Sequence, residues 1–208
     1  MKGHAVTRRR APPPRARLGP EERRRQIVAV AAGLLTRGGV DALQFTDVAK
    51  AAGVTRPVVY KFFATRGELV GAVLDDFEEE LTRRFFAAAA GRLPATFDEA
   101  TRVFIDAICD AIEAKGSGAW DLLDPKGPED DVAKVARAVQ ARLMKPWHAQ
   151  IKAATGATPR EVATVTAMLV AAGRAVLRRW YAGELSRADA ARDATRGVSA
   201  LLAAFTKE

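Results

Sequence analysis

The chain has 208 residues, 49% of them hydrophobic, enough to bury a sizeable core in one or two domains. Its formal net charge is +8, yet residues 1–25 carry nine Lys and Arg against Glu21 and Glu22, so all but one of those net charges sit at the N-terminal end. A single cysteine excludes an internal disulfide framework, and no apolar run approaches the roughly 20 residues that span a bilayer.

Modest Gly and Pro, abundant Ala and short β-branched runs predict an all-α fold. Residues 1–19 contain Pro12-Pro13-Pro14 and lack apolar periodicity, which predicts a disordered basic arm. Two roles for it stand open: arginines that follow phosphates or enter a minor groove, or a solubilising tail. Its closeness to the motif that follows favours the first. Pro20 with Glu21 and Glu22 then opens a helix that runs to about Arg37 and stops at Gly38-Gly39. Its run IVAVAAGLL, behind Arg23-Arg24-Arg25, imitates a secretory or twin-arginine signal. Ile27, Val30, Ala31 and Leu34 share one helical face, and cleavage near Gly38-Gly39 would remove the helix on which the next segment packs. The expected location is therefore cytoplasmic, with no membrane partner.

Phe45 to Leu69, FTDVAKAAGVTRPVVYKFFATRGEL, has the spacing of a helix-turn-helix. Thr46 is the expected N-cap of a short helix near 46–52, Ala49 the small residue at a helix crossing, and Gly53 the turn that a left-handed backbone needs. Val54 follows as a buried turn residue. Thr55 is the next N-cap, and Pro57 falls in the first turn of a second helix near 56–62, where its missing N–H costs little. Val59 and Phe62 face inward, which leaves Thr55, Arg56, Val58, Tyr60 and Lys61 outward. In a DNA-binding helix-turn-helix that face enters the major groove. A plain helical hairpin is the competing reading. Thr65 with Glu68 forms a capping box for a fourth helix, whose stripe Val70, Leu74, Phe77, Leu81 and Phe85 continues to roughly Ala90. Asp75, Asp76, Glu78, Glu79 and Glu80 are expected on a solvated face.

The run GVTRPVVYKFFATRGELVGAV resembles the N-terminal domain of the TetR family of bacterial transcriptional regulators, through Thr55, Arg56, Tyr60, Phe62, Phe63, Arg66 and Glu68. The match covers about Pro20 to Leu81. Pro57 departs from it, since a small residue is commoner there. The resemblance implies a double-stranded DNA operator as partner. Thr46, Thr55, Tyr60, Lys61 and Arg66 are expected at the DNA backbone; Arg56, Pro57 and Val58 are expected nearest base edges. The domain expectation is an arm at 1–19, a helix-turn-helix domain at 20–66, and a larger helical ligand-binding and dimerisation domain at 67–208.

Beyond Pro94 a helix is expected from about Phe97 to Lys115, with Cys109 as a small buried apolar residue. Residues 116–130 read as a loop or broken short helix. A long helix follows from about Glu129 to Ala154, bent or split at Pro146. Thr158-Pro159 starts the next, which reaches Tyr181 before Gly183. Ser186 caps the last, with the stripe Ala190, Ala194, Val198, Leu201, Leu202 and Phe205. Ala171, Ala172, Gly173 and Ala175 permit close helix approach, so the last two helices are expected to form a homodimer's four-helix bundle. The same resemblance implies this interface.

No catalytic constellation stands out, and neither cofactor nor metal is expected. His4 lies in the arm, which leaves His148 alone in the folded part, and phosphate-loop and nucleophile-elbow motifs are missing. Asp106 and Asp110 share a helix face, as pairs facing water commonly do. Phe104, Trp120, Met144, Trp147, His148, Met168 and Trp180 are candidates to line a pocket for a small apolar or amphipathic effector, the pocket itself being implied by the resemblance. Each has a plain core role as its alternative, and His148 can equally satisfy a backbone carbonyl. The expected function is a repressor on a near-palindromic operator, released by that effector. A sequence-independent architectural DNA-binding protein is the competing expectation.

Overall fold

The computed structural model describes residues 18–89, 94–124 and 130–206. The expected arm, His4 included, therefore lies outside the described residues except for Leu18 and Gly19, as do Ala90 and residues 125–129. Helix α1 spans Pro20–Gly38, α2 Phe45–Ala52, α3 Arg56–Phe62, α4 Arg66–Ala88 and α5 Phe97–Lys115. They are followed by α6 Ser117–Leu122, α7 Asp131–Thr155, α8 Pro159–Tyr181 and α9 Arg187–Ala203, with a 3-10 turn at Val40–Ala42. No strand interrupts the described residues, so the fold is all-α.

The local signals act where backbone groups need partners. Gly53 takes φ 65°, and its N–H and that of Val54 bond Lys50 and Ala49 carbonyls, closing α2. The hydroxyls of Thr65, Thr96 and Ser186 each accept the amide three residues on, starting α4, α5 and α9. Thr158 and Glu161 complete a full capping box on α8, in which the Thr158 amide donates to Glu161 at 2.8 Å. Glu68 reaches one residue further back than a capping box requires, accepting from the Ala64 amide at 2.7 Å.

Several expectations need correction. α2 begins one residue early, with Gln44 at the N-cap, so Thr46 lies inside the first turn. Thr55 does hold the N-cap of α3, but its hydroxyl makes no capping bond. Val54 and Phe62 are only partly buried, and Phe63 takes the inward position instead. Of the two readings of segment 116–130, the short helix holds, as α6. α7 runs through Pro146 as one helix, not two.

α4 is the central element, packing against α1, α5, α6 and α7. Leu74, Phe77 and Leu81 on its inner face are almost fully buried, each stabilising the fold by roughly 1.5–3 kcal/mol. Its acidic face is not simply solvated. Arg142 of α7 holds Glu78 and Asp75, Lys115 of α5 holds Asp76 at 2.8 Å, and Arg83 and Arg84 hold Glu80. Asp110 is likewise engaged by Arg187 of α9, and Asp106 lies 3.9 Å from Arg102. Asp75, Asp76, Glu78 and Asp110 thereby tie one helix to another, which the one-dimensional pattern does not reveal, while Glu80 and Asp106 pair within their own helices.

α8 and α9 pack closely, and a second apolar cluster of Ile151, Val162, Val165, Leu169, Val198 and Leu202 joins them to α7. Phe205, expected in the stripe of α9, is 38% exposed beyond its end. Among the described residues no helix is long and apolar enough to cross a membrane.

Candidate nucleic-acid interface and core cavity

The helix-turn-helix is held from beneath by Ile27, Ala31 and Leu35 of α1, which share one core with Val48, Val59, Phe63 and Leu69. Gln26 adds a polar tie, donating to the Ala52 carbonyl at 3.2 Å. This buried footing leaves one side of α3 free. Thr55, Arg56, Pro57 and Lys61 are exposed and Tyr60 is 45% exposed, an unusual setting for a large ring. Val58 and Arg66 are partly buried, and Thr46 is exposed on α2.

Within this face Arg56 and Tyr60 form a unit. The Arg56 guanidinium lies 5.3 Å from the Tyr60 ring centroid and donates to its hydroxyl at 2.9 Å. Phe45 supports the same ring edge-on, at 4.8 Å between centroids. Sequence reasoning missed Phe45, because the contact joins residues in different helices. A supported, exposed arginine at a helix start suits bidentate contact with a base edge or phosphate.

The second feature is a cavity of about 70 Å³ between α5, α7 and α8, with Trp120 of α6 and Val198 of α9 also on its wall. Four of the residues singled out in the sequence line it: Phe104, Trp120, Met144 and Trp147. The rings of Phe104 and Trp147 lie 4.9 Å apart, with Phe97 edge-on to Trp147 at 5.8 Å. The other three are elsewhere. His148 is exposed on α7, Met168 is 42% exposed on α8, and Trp180 is partly buried against the main core. One-residue steps along a helix separate cavity from surface, as Trp147 from His148 and Leu169 from Met168, and apolar character alone does not choose between them.

Arg174 is the lining residue that composition-led reasoning overlooked. It is 5% exposed, and its position inside MLVAAGRAVL was the available signal. Its Nη2 donates to the carbonyls of Trp120 at 2.6 Å and Asp121 at 2.9 Å, at the C-terminal end of α6. The guanidinium stacks 4.8 Å from the Trp120 ring centroid. Burial pulls its pKa below the ordinary guanidinium value, opposed by the carboxylates of Asp124 and Asp121. Cys109, also buried, has its thiol pushed up to about 12 by burial. Among the described residues no group of three or more His, Cys, Asp or Glu is arranged to hold a metal ion.

Residues 27–73 match the family model of bacterial regulatory proteins, tetR family. An HTH-type transcriptional regulator of Mycobacterium bovis and an HTH-type transcriptional repressor of Mycobacterium tuberculosis are each 29% identical over 164 residues. Those matches cover 73% of this chain and 85% of each relative. A tetR-family transcriptional regulator from Streptomyces coelicolor, 23% identical, superposes with a TM-score of 0.64 over 90% of this chain and 83% of that one. A TetR-like regulator from Rhodococcus sp. RHA1, 18% identical, gives 0.69 over 90% of this chain and 99% of that one. The two solved structures share the fold over nearly the whole chain, while the sequence match centres on the helices that present Arg56 and Tyr60. The family match at the helix-turn-helix, the curated regulators of similar sequence and the shared fold together support a TetR-family transcriptional regulator.

Proposed function

We propose that the protein is a cytoplasmic homodimeric repressor that binds a near-palindromic operator and leaves it when a small molecule occupies the core cavity. The observation that carries this reading is the Arg56–Tyr60–Phe45 cluster on an otherwise uncovered face of α3. In use, Arg56, Pro57 and Val58 meet base edges, while Thr46, Thr55, Tyr60, Lys61 and Arg66 meet the DNA backbone. The Thr55 hydroxyl, making no capping bond, is free to donate to a phosphate. We assign the domains as a basic arm at 1–19, a DNA-binding domain at 20–66 and an effector and dimerisation domain at 67–208.

Dimerisation is supported by the outward face of α8 and α9. Ala163, Ala167, Ala171 and Ala175 repeat every four residues along α8 and are exposed, with Gly197 and Ala200 exposed on α9. Such small residues permit two helix pairs to approach closely as a bundle. Sedimentation equilibrium tests this. The expected mass is twice the 22.3 kDa of one chain, and Ala171→Glu is expected to halve it. A wild-type protein that stays at one chain mass would refute the dimer.

The effector's influence travels through α6. Arg174, on the cavity wall, is bonded to the C-terminal carbonyls of α6, and the Gly118 amide of the same helix donates to Thr36 of α1 at 3.2 Å. An occupant that moves Arg174 therefore shifts the helix on which the DNA-binding head is built. It changes DNA affinity only by as much as it favours one head spacing over the other.

A further inference from the structure

The cavity exposes only apolar atoms, but three of the residues that form its wall carry, behind that surface, buried polar atoms without partners among the described residues. They are the Thr101 hydroxyl, the Trp120 indole N–H, and the Nε and Nη1 of Arg174. All three residues are more than nine-tenths buried, at 3%, 6% and 5% exposure. Arg174 stays charged at any physiological pH, and its only acceptors among the described residues are the two α6 carbonyls, both taken by Nη2. An arginine buried this way, with donors unmet and no carboxylate among the described residues in ion-pair contact, costs the core free energy that an acceptor of opposite charge would return.

The chemistry of the set narrows the occupant. The indole and the guanidinium only donate, and the threonine hydroxyl can donate as well. A ligand headgroup here must therefore accept hydrogen bonds, and beside an unpaired guanidinium it is favoured as an anion. The remaining wall, including Phe97, Phe104, Trp147, Ile108 and Leu169, takes only an apolar body. Size restricts that body. An apolar cavity of about 150 Å³ admits benzene, and this one is about 70 Å³. An aromatic occupant thus requires the flexible, partly buried Met144 to yield.

Resting on the effector reading above, we propose that the cavity takes a small amphipathic monocarboxylate, its aromatic or branched apolar body among the α5 and α7 side chains and its carboxylate at Arg174, Trp120 and Thr101. The carboxylate completes the hydrogen bonding of Arg174 and competes for the guanidinium that now secures the end of α6. Binding and release of α6 from its present position are then one event.

The test titrates the full-length protein, by calorimetry and by thermal shift, with benzoate, phenylacetate and isovalerate and with their neutral amides. The acids are expected to bind at least tenfold more tightly than the matching amides, and Arg174→Gln is expected to remove that advantage. Thr101→Val, which deletes an unpartnered hydroxyl at nearly constant shape, supplies a second reading that does not depend on Arg174→Gln folding. It is expected to raise the melting temperature of the free protein while weakening acid binding several-fold. Equal affinity for acids and amides, or an acid preference that survives Arg174→Gln, would overturn the anion assignment and leave the cavity as a neutral effector site. Acid affinity unchanged by Thr101→Val would overturn the headgroup position. Failure of both series to bind would overturn the assignment together with the effector reading.

Discussion

The Gly118 amide of α6 donates to the Thr36 hydroxyl of α1 at 3.2 Å, while that hydroxyl itself donates to the Ala32 carbonyl at 3.1 Å. The approach leaves no room for a side chain. A Cβ on Gly118 would lie 2.5 Å from the Thr36 amide nitrogen and 2.6 Å from the Leu35 carbonyl carbon, both backbone atoms that cannot rotate away. Gly118→Ala is expected to destabilise the protein by about 1–3 kcal/mol, read from its urea midpoint, and to alter DNA affinity through α1. Gly33→Ala is the control. Its Cβ would meet only the end of the Arg37 side chain at 3.4 Å, so removing a helix glycine is expected to stabilise by about 0.5–1 kcal/mol.

Arg56→Ala removes the guanidinium that now rests on Tyr60. If Arg56 pairs with a guanine, specific binding is expected to weaken by about 1–3 kcal/mol, with preference relaxed at one position of each half-site. Fluorescence anisotropy on a set of single-base operator variants measures both. An unchanged preference would take Arg56 out of base reading.

The arm predicts a salt effect. Deleting residues 1–17 removes Lys2, Arg8, Arg9, Arg10, Arg15 and Arg17. For every phosphate that these side chains neutralise in the wild type, the deletion is expected to flatten the slope of log affinity against log salt by about 0.9, because fewer counterions are released. An identical slope would reduce the arm to a solubilising tail.

Glu80 predicts an acid limb of stability. The Arg83 hydrogen bond, with Arg84 beside it, holds the Glu80 carboxyl down to about 2. Its folded pKa lies below its unfolded value, so its contribution is complete above about 4.5 and is lost as pH falls toward 2. The urea midpoint of Glu80→Gln is expected to fall below that of the wild type at neutral pH and to converge with it between those limits. A pH-independent gap would assign the difference to packing instead.

Cys109 predicts a reactivity contrast. With its side chain 0% exposed and its thiol pushed up to about 12, it is expected to resist iodoacetamide at pH 8 in the native state and to react on unfolding. Rapid native labelling would mean that α5 opens far more readily than its packing implies.

What was legible in the sequence follows the range of each signal. Gly53, Thr65, Thr158 and Ser186 act within one turn of their own positions, so the helix ends they set were readable. The outward set on α3 followed from the same short-range periodicity. Where the partner lies far along the chain, reading stopped. Asp75 and Glu78 read as solvated until Arg142, more than sixty residues on, is seen to hold them. Trp147 and His148 are adjacent, yet one lines the cavity and the other is exposed. Arg174 is the sharper case, since hydropathy counts a charged residue toward the surface. Its burial depends on the carbonyl ends of α6, a helix the sequence suggested only as a broken segment.

On the proposed function, the α3 face reads sequence as one of a symmetric pair. This is tested most directly by selecting bound duplexes from a random DNA library with the full-length protein at near-physiological salt. Enrichment of an inverted repeat is expected, its half-sites lying in successive major grooves on one side of the duplex. Recovery of duplexes without a shared motif, held only while the salt is low, would contradict it and favour an architectural DNA-coating role.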